Sequence, residues 1–350
     1  MRAFFEQTRD AASEFGALFD FIWVSVPALW NLRWQVRGFL GEVPSASSDD
    51  LKARFVHGSE THGSNLRRAC IDTTWEEQTE RFAAVVLTNA FAIYEHWADE
   101  IIITLGVSGS VSGKDFQFPD TPSRAGLPST VAHLCRVESA TLKKAYYSVL
   151  IRNAKYSWQF VSSQLLCYRY FKEARNSLFH HGGQASKRAQ TASAAFLALN
   201  SSRALGIKGA LQVEPLVEGK VFKLHLRAVV GFCDVLWRLM HSVDAELARS
   251  KYAEDAFEKM LRRTVSKSGR NTLPEEMARR NARVVRRCNA ADFLRPKTQA
   301  PFMHSCYRKD SCNSATMATH ERGSDSPTPS IALLRSQLGT TTQRANLRAY

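Results

Sequence analysis

Residues 175–181, Arg-Asn-Ser-Leu-Phe-His-His, place an arginine, an asparagine and two histidines within seven positions, directly before Gly182-Gly183. On the helix predicted for residues 157–179, Val161, Leu165 and Tyr168 define an apolar stripe. At about 100° per residue, Arg175 falls about 40° from its centre. A guanidinium that is always charged is costly on an inward face unless it has a partner or a task. Histidine, with a reference pKa of about 6.5, takes or gives a proton near neutral pH. The arginine fork of donors complements phosphoryl oxygens. Arg175 with His180 or His181 is the only Arg–x4–6–His spacing among the ten histidines. The glycine pair accepts left-handed backbone and ends the helix there.

Long helices must position this segment. Apolar residues at Phe82, Val85, Val86, Ala90, Ile93, Tyr94, Trp97, Ile101 and Leu105 predict a buried helix over Trp75–Leu105. Phe91, Ala98 and Ile102 make a second apolar face, so this helix is central to a bundle or shared with another subunit. Glu95 sits on that second face, where a carboxylate is either paired, with Arg175 a candidate partner, or simply exposed. Further helices are predicted over Thr130–Arg136, Ala140–Asn153, Ser186–Leu205, His225–Leu247 and Ala253–Arg263, with a small β-hairpin from Leu211–Glu214 and Lys220–Leu224. Thr272 and Glu275 have capping-box spacing for a helix to about Arg287.

Composition narrows the function classes. The 350 residues are 44% hydrophobic and 23% charged, enough for a sizeable core. The net charge of +14 is unevenly placed: Leu261–Tyr350 holds 17 Lys/Arg against 6 Asp/Glu, and the first 260 residues hold 30 against 27. A nearly neutral body with a basic extension is not a uniformly basic nucleic-acid binder. The N-terminus lacks a secretory signal pattern, and Phe15–Trp30, with Asp20 and Pro27 inside it, reads as a buried amphipathic helix rather than a membrane span. Seven scattered cysteines without a C-x-x-C imply reduced thiols and a cytoplasmic protein. His304, Cys306 and Cys312 lack the further ligands of a metal site, so no metal and no cofactor is expected. Gly113-Lys114 fails as a phosphate loop because Ser108 replaces the first glycine and Asp115 the hydroxyl residue. Hydrolase, zinc-protease and dinucleotide signatures are absent.

Arg175-Asn176-Ser177-Leu178-Phe179-His180 resembles the motif of the HEPN superfamily, whose ribonuclease members carry Arg, a polar residue and His at a helix end. His180 matches with a gap of four and His181 with a gap of five. The helix around Ile93–Glu100 resembles the acidic helix that precedes the motif in several such families, and His225–Leu247 the helix that follows. The resemblance spans residues 75 to 250 and implies a mainly α, antiparallel HEPN-like bundle. It implies a metal-independent endoribonuclease, in which the 2′-hydroxyl of RNA attacks the adjacent phosphate. His180 or His181 would serve as general acid or base, Arg175 would stabilise phosphoryl charge, Asn176 would orient one of them, and Glu95 would pair with Arg175. By the same resemblance two subunits form a homodimer around one cleft, and such enzymes act as toxins or in phage defence, at times with a neutralising antitoxin. The alternative is a non-catalytic HEPN-like module that binds a nucleotide or protein.

The expected organisation is therefore an N-terminal helical segment (1–74) packed on the core, a HEPN-like domain (75–265) and a basic extension (266–350), disordered toward its end around Ser324–Ser330. In that extension Arg279, Arg283, Arg286 and Arg287 could track RNA phosphates, form a solvated face or dock an acidic partner. RNA is the expected partner, and no membrane.

Overall fold

The computed structural model describes residues 3–59 and 63–267, with Arg279, Ala282 and Arg286. Tyr307–Tyr350 lies wholly outside these residues. The described residues are mainly helical: α1 (Glu6–Glu42), α2 (Ser48–Phe55), α3 (Trp75–Leu105), α4 (Leu127–Leu134), α5 (Ala140–Leu142), α6 (Ser148–Leu150), α7 (Val161–His180), α8 (Lys187–Leu197), α9 (Ser202–Leu205), α10 (Leu226–Leu247) and α11 (Lys251–Lys267). A π-helical turn, Lys143–Tyr147, joins α5 to α6, so the helix predicted at 140–153 forms with one loosened turn.

The central helix is α3, and its ends are written in its sequence. Thr74 accepts from the Glu77 N–H while the Glu77 carboxylate accepts from the Thr74 N–H, so two otherwise orphaned donors are satisfied at its start. Gly106, at φ +70°, ends it in the left-handed conformation. Both predicted apolar faces are buried from Val86 onward, with Ala90, Tyr94, Trp97 and Ile101 on one and Phe91, Ala98 and Ile102 on the other, whereas Val85, predicted in the first stripe, is 47% exposed. Helices α1, α7, α10 and α11 all pack against α3. Its middle meets an aromatic cluster in which Phe91 lies 5.1 Å from Tyr168 and 5.3 Å from Phe232, and Phe171 stacks on Phe232 at 4.4 Å. Each such ring removed from water stabilises the fold by about 2–3 kcal/mol.

Helix α10 runs from Leu226 to Leu247, within a residue of the predicted span. Its C-terminal half carries a buried polar network. Glu246 accepts from Tyr147 (2.8 Å), Tyr156 (2.7 Å) and Arg249 (3.0 Å). Two residues earlier Asp244 accepts from the backbone N–H groups of Phe4 (2.7 Å) and Phe5 (3.0 Å), clamping the N-terminus to the core.

Three expectations change. The helix predicted at 186–205 breaks into α8 and α9, with Ser201 capping the second through the Ala204 N–H. The hairpin does not form. Among the described residues there are only isolated bridges, and Gln184 and Ala185 pair with Val221 and Glu218 instead. The chain leaving α7 thus takes the hydrogen bonds that a 211–214 strand would have used. Phe15–Trp30 lies within the much longer α1 and is not a buried helix. Phe15 and Ile22 are enclosed, but Phe21 is 60% exposed, and Trp23, Val24, Trp30 and Trp34 face outward too. Helix α1 carries apolar side chains around most of its circumference while α3 and α10 cover one side. By length and composition it is long and apolar enough to cross a membrane, and 11% of its most apolar window is buried.

Candidate functional site

The motif occupies the last turn and a half of α7. The Ser177 carbonyl accepts from both the His181 N–H (3.1 Å) and the Gly183 N–H (3.0 Å), and the His181 carbonyl accepts from Gln184 (3.0 Å). Gly182 and Gly183 hold φ of +57° and +83°, a pair of left-handed residues that a side chain would strain. The emerging chain is fastened by Ala185 N–H to the Lys220 carbonyl (3.0 Å) and Gly219 N–H to the Ala185 carbonyl (2.8 Å). The helix end is therefore a fixed platform.

Arg175 is half-buried, with its guanidinium carbon 5.9 Å from the centre of the Phe91 ring. Among the described residues it forms no ion pair and no side-chain hydrogen bond. A cation over an aromatic face gains about 0.5–2 kcal/mol, but its forked donors stay unmatched. Asn176, half-buried, likewise has no side-chain hydrogen bond among the described residues. The Ser177 hydroxyl is buried without a partner. His180 and His181 are exposed, and neither is bonded to Arg175. On a regular helix His180 lies about 140° around from Arg175. His181 has left the helix, at φ −127° and ψ 22°.

Glu95 does not pair with Arg175. Its carboxylate accepts from the Lys172 ammonium at 3.0 Å and from the Tyr168 hydroxyl at 3.4 Å, and Lys172 also donates to Gln117. The reason is register. Helices α3 and α7 run antiparallel here, so Phe91 faces Arg175 while Glu95, one turn along, faces Lys172, one turn back. Lys172 sits three residues before Arg175 on the same face, and the motif does not flag it. On the other side of α7, Glu173 is buried and bound to Arg169 at 2.6 Å.

The structure thus brings Arg175, Asn176, His180 and His181 to one helix end and engages Glu95 in an ion pair beside it. In the basic extension, Arg279 and Arg286 are exposed and helical, with the Arg286 Nε donating to the Ala282 carbonyl at 3.3 Å. Arg283 and Arg287 lie outside the described residues, as do His304, Cys306 and Cys312. Cys70, Cys135, Cys167 and Cys233 are free and buried, and burial pushes each thiol above its ordinary pKa, which makes them inert packing groups.

No family model matches this chain, and no curated protein or solved structure matches it.

Proposed function

We propose that the protein is a HEPN-like, metal-independent endoribonuclease whose reaction centre is built on the C-terminal end of α7. The observation that carries this reading is the half-buried Arg175 guanidinium, which has no counter-ion or acceptor of its own among the described residues and shares its helix end with two exposed histidines. A cation that folding does not neutralise is free to receive a phosphoryl oxygen. In this role its fork of donors meets the negative charge that grows on phosphorus as the 2′-hydroxyl attacks. His180, or His181 one residue on, takes the hydroxyl proton or returns one to the leaving oxygen, and Asn176 orients the phosphate. Glu95 holds Lys172 and so keeps that ammonium beside the arginine rather than acting on substrate.

The angle between Arg175 and His180 favours an arrangement in which two copies each lend part of the site, as the family resemblance implies. A cytoplasmic toxin or phage-defence role, restrained by a neutralising protein, belongs to the same resemblance. The same angle also supports a second reading, a binding module without catalysis, since within one chain the two groups do not converge.

The test is incubation of the full chain with RNA in the presence of a chelator, with analysis of the cut ends. The proposal expects 2′,3′-cyclic phosphate or 3′-phosphate ends, lost in Arg175→Ala and His180→Ala at unchanged helix content. Tight RNA binding without cleavage supports the binding module. Cleavage that survives both substitutions removes this site from consideration.

A further inference from the structure

Away from the α7 C-terminus the chain forms a concave feature. The segment Ile207–Gln212 crosses α10 and, with Lys155, encloses a cleft of about 410 Å³. Its position is fixed by the surrounding fold. Asn200 brackets Leu211, donating to its carbonyl at 2.7 Å and accepting from its N–H at 3.2 Å, and Ile207 donates to the Ser202 carbonyl. Gly231 lets Leu211 approach α10, because a Cβ there would lie 2.4 Å from the leucine methyl.

The charge of this cleft is one-sided. Four cations line it, Lys155, Lys208, Arg227 and Arg238, with one carboxylate, Asp234. Asp234 binds both Lys155 and Arg238, the latter at 3.0 Å. Burial pushes its carboxyl upward, but those two cations outweigh this and hold its pKa below the ordinary value. Lys208 and Arg227 form no ion pair or side-chain hydrogen bond among the described residues. The surplus is three positive charges in a concavity, where low-dielectric walls concentrate the field. The backbone N–H groups of Lys208, Gly209 and Ala210, in the exposed segment that lines the cleft, also have no acceptor among the described residues. Cations and unmatched amide donors gathered in one hollow describe a receptor for a multiply charged oxyanion.

We propose that this cleft binds a small ligand carrying two or more linked phosphoryl groups. A single phosphate balances part of a surplus of three, whereas a di- or triphosphate chain balances most of it and offers an acceptor to each free donor. The volume suits a small molecule rather than a macromolecular strand. Lys155 and Arg238, already fixed by Asp234, present a preformed rim, while Lys208 and Arg227 are the exposed, adjustable half. This site is independent of the ribonuclease reading and stands or falls by itself.

The experiment is calorimetric titration of the full chain, at low salt, with inorganic phosphate, pyrophosphate, tripolyphosphate and ATP in separate arms. Affinity is expected to rise from phosphate to tripolyphosphate, and Lys208→Glu with Arg227→Glu to weaken pyrophosphate binding by about tenfold or more. Both side chains are exposed and without internal bonds, so an unchanged melting curve will show that the variant is folded. ATP binding as tightly as tripolyphosphate, or more tightly, supports the site in either case. Lys187→Glu with Arg188→Glu, on the exposed face of α8, is the charge-matched control and should leave binding intact. Equal weakening by the control, affinity that does not rise with phosphate number, or binding of RNA but of none of the small anions would each overturn the proposal.

Discussion

The two polar regions of this fold are built to opposite rules. In the second half of α10 every carboxylate is engaged: Glu246 collects two tyrosine hydroxyls and an arginine, and Asp244 collects two backbone amides. At the end of α7, Arg175, His180 and His181 hold bonds to nothing but a ring face and their own backbone. Buried polar groups matched to one another rigidify a fold. Polar groups held in place but unmatched are available to something else. The difference separates residues that keep the molecule together from residues that can act on a ligand.

Substitutions should respect that division, and the effects can be ranked. Arg175→Lys should reduce RNA cleavage by about a thousandfold, since an ammonium does not reproduce the fork, with urea stability unchanged. If lysine restores activity, the site needs only charge there. Glu246→Ala should have the reverse signature. It removes one acceptor from Tyr147, Tyr156 and Arg249 together and should cost about 3–4 kcal/mol in urea unfolding, with cleavage per folded molecule intact.

A pH series probes the titratable groups buried along α10. His241 is buried, and burial lowers its pKa to about 4, while Asp244 is raised to about 6 by its own burial. The two act in opposite directions. Below the ordinary histidine value of 6.5 the unfolded chain gains a proton that folded His241 refuses, so its contribution to stability is lost as pH falls from 6.5 through 4. For Asp244 the contribution is present below 3.8 and lost as pH rises through 6. His241→Asn keeps a donor for the Trp237 carbonyl and removes the first arm. Relative to the parent, it should gain on the order of 3 kcal/mol of stability between pH 6.5 and 4. A parallel pair of curves would mean that His241 is solvated. The smallest effect is expected at the boundary of the two regions. Lys172→Ala frees Glu95 in a partly exposed pair and should cost about 0.5–1 kcal/mol, with a larger loss in RNA affinity if Glu95 then turns toward Arg175.

Much of the fold was legible because its signals are local. Apolar periodicity alone places α3 at Trp75–Leu105, and two glycines mark the end of α7. What needed the structure was register between distant segments. Nothing in the spacing of Glu95 says that it meets Lys172 rather than Arg175; a shift of one helical turn between α3 and α7 decides it. The cationic cleft draws on four separate segments, 155, 207–212, 227 and 234–238, so no window of the sequence contains it. The hairpin was misread because alternation at 211–224 is weak and Gln184–Ala185 competes for the same backbone groups. The outer face of α1 was misread because apolarity predicts burial only when there is enough neighbouring surface to supply it.

The clamp between Asp244 and the amides of Phe4 and Phe5 joins residues 240 positions apart. Synthesis at about 5–20 residues per second separates their appearance by roughly 12–48 s. Throughout that interval the first helix, rich in tryptophan and phenylalanine, can pack on α3 but lacks the part of its cover that α10 supplies. The order of manufacture therefore makes the seating of the N-terminus on α10 a late step, taken after α1 and α3 have already met.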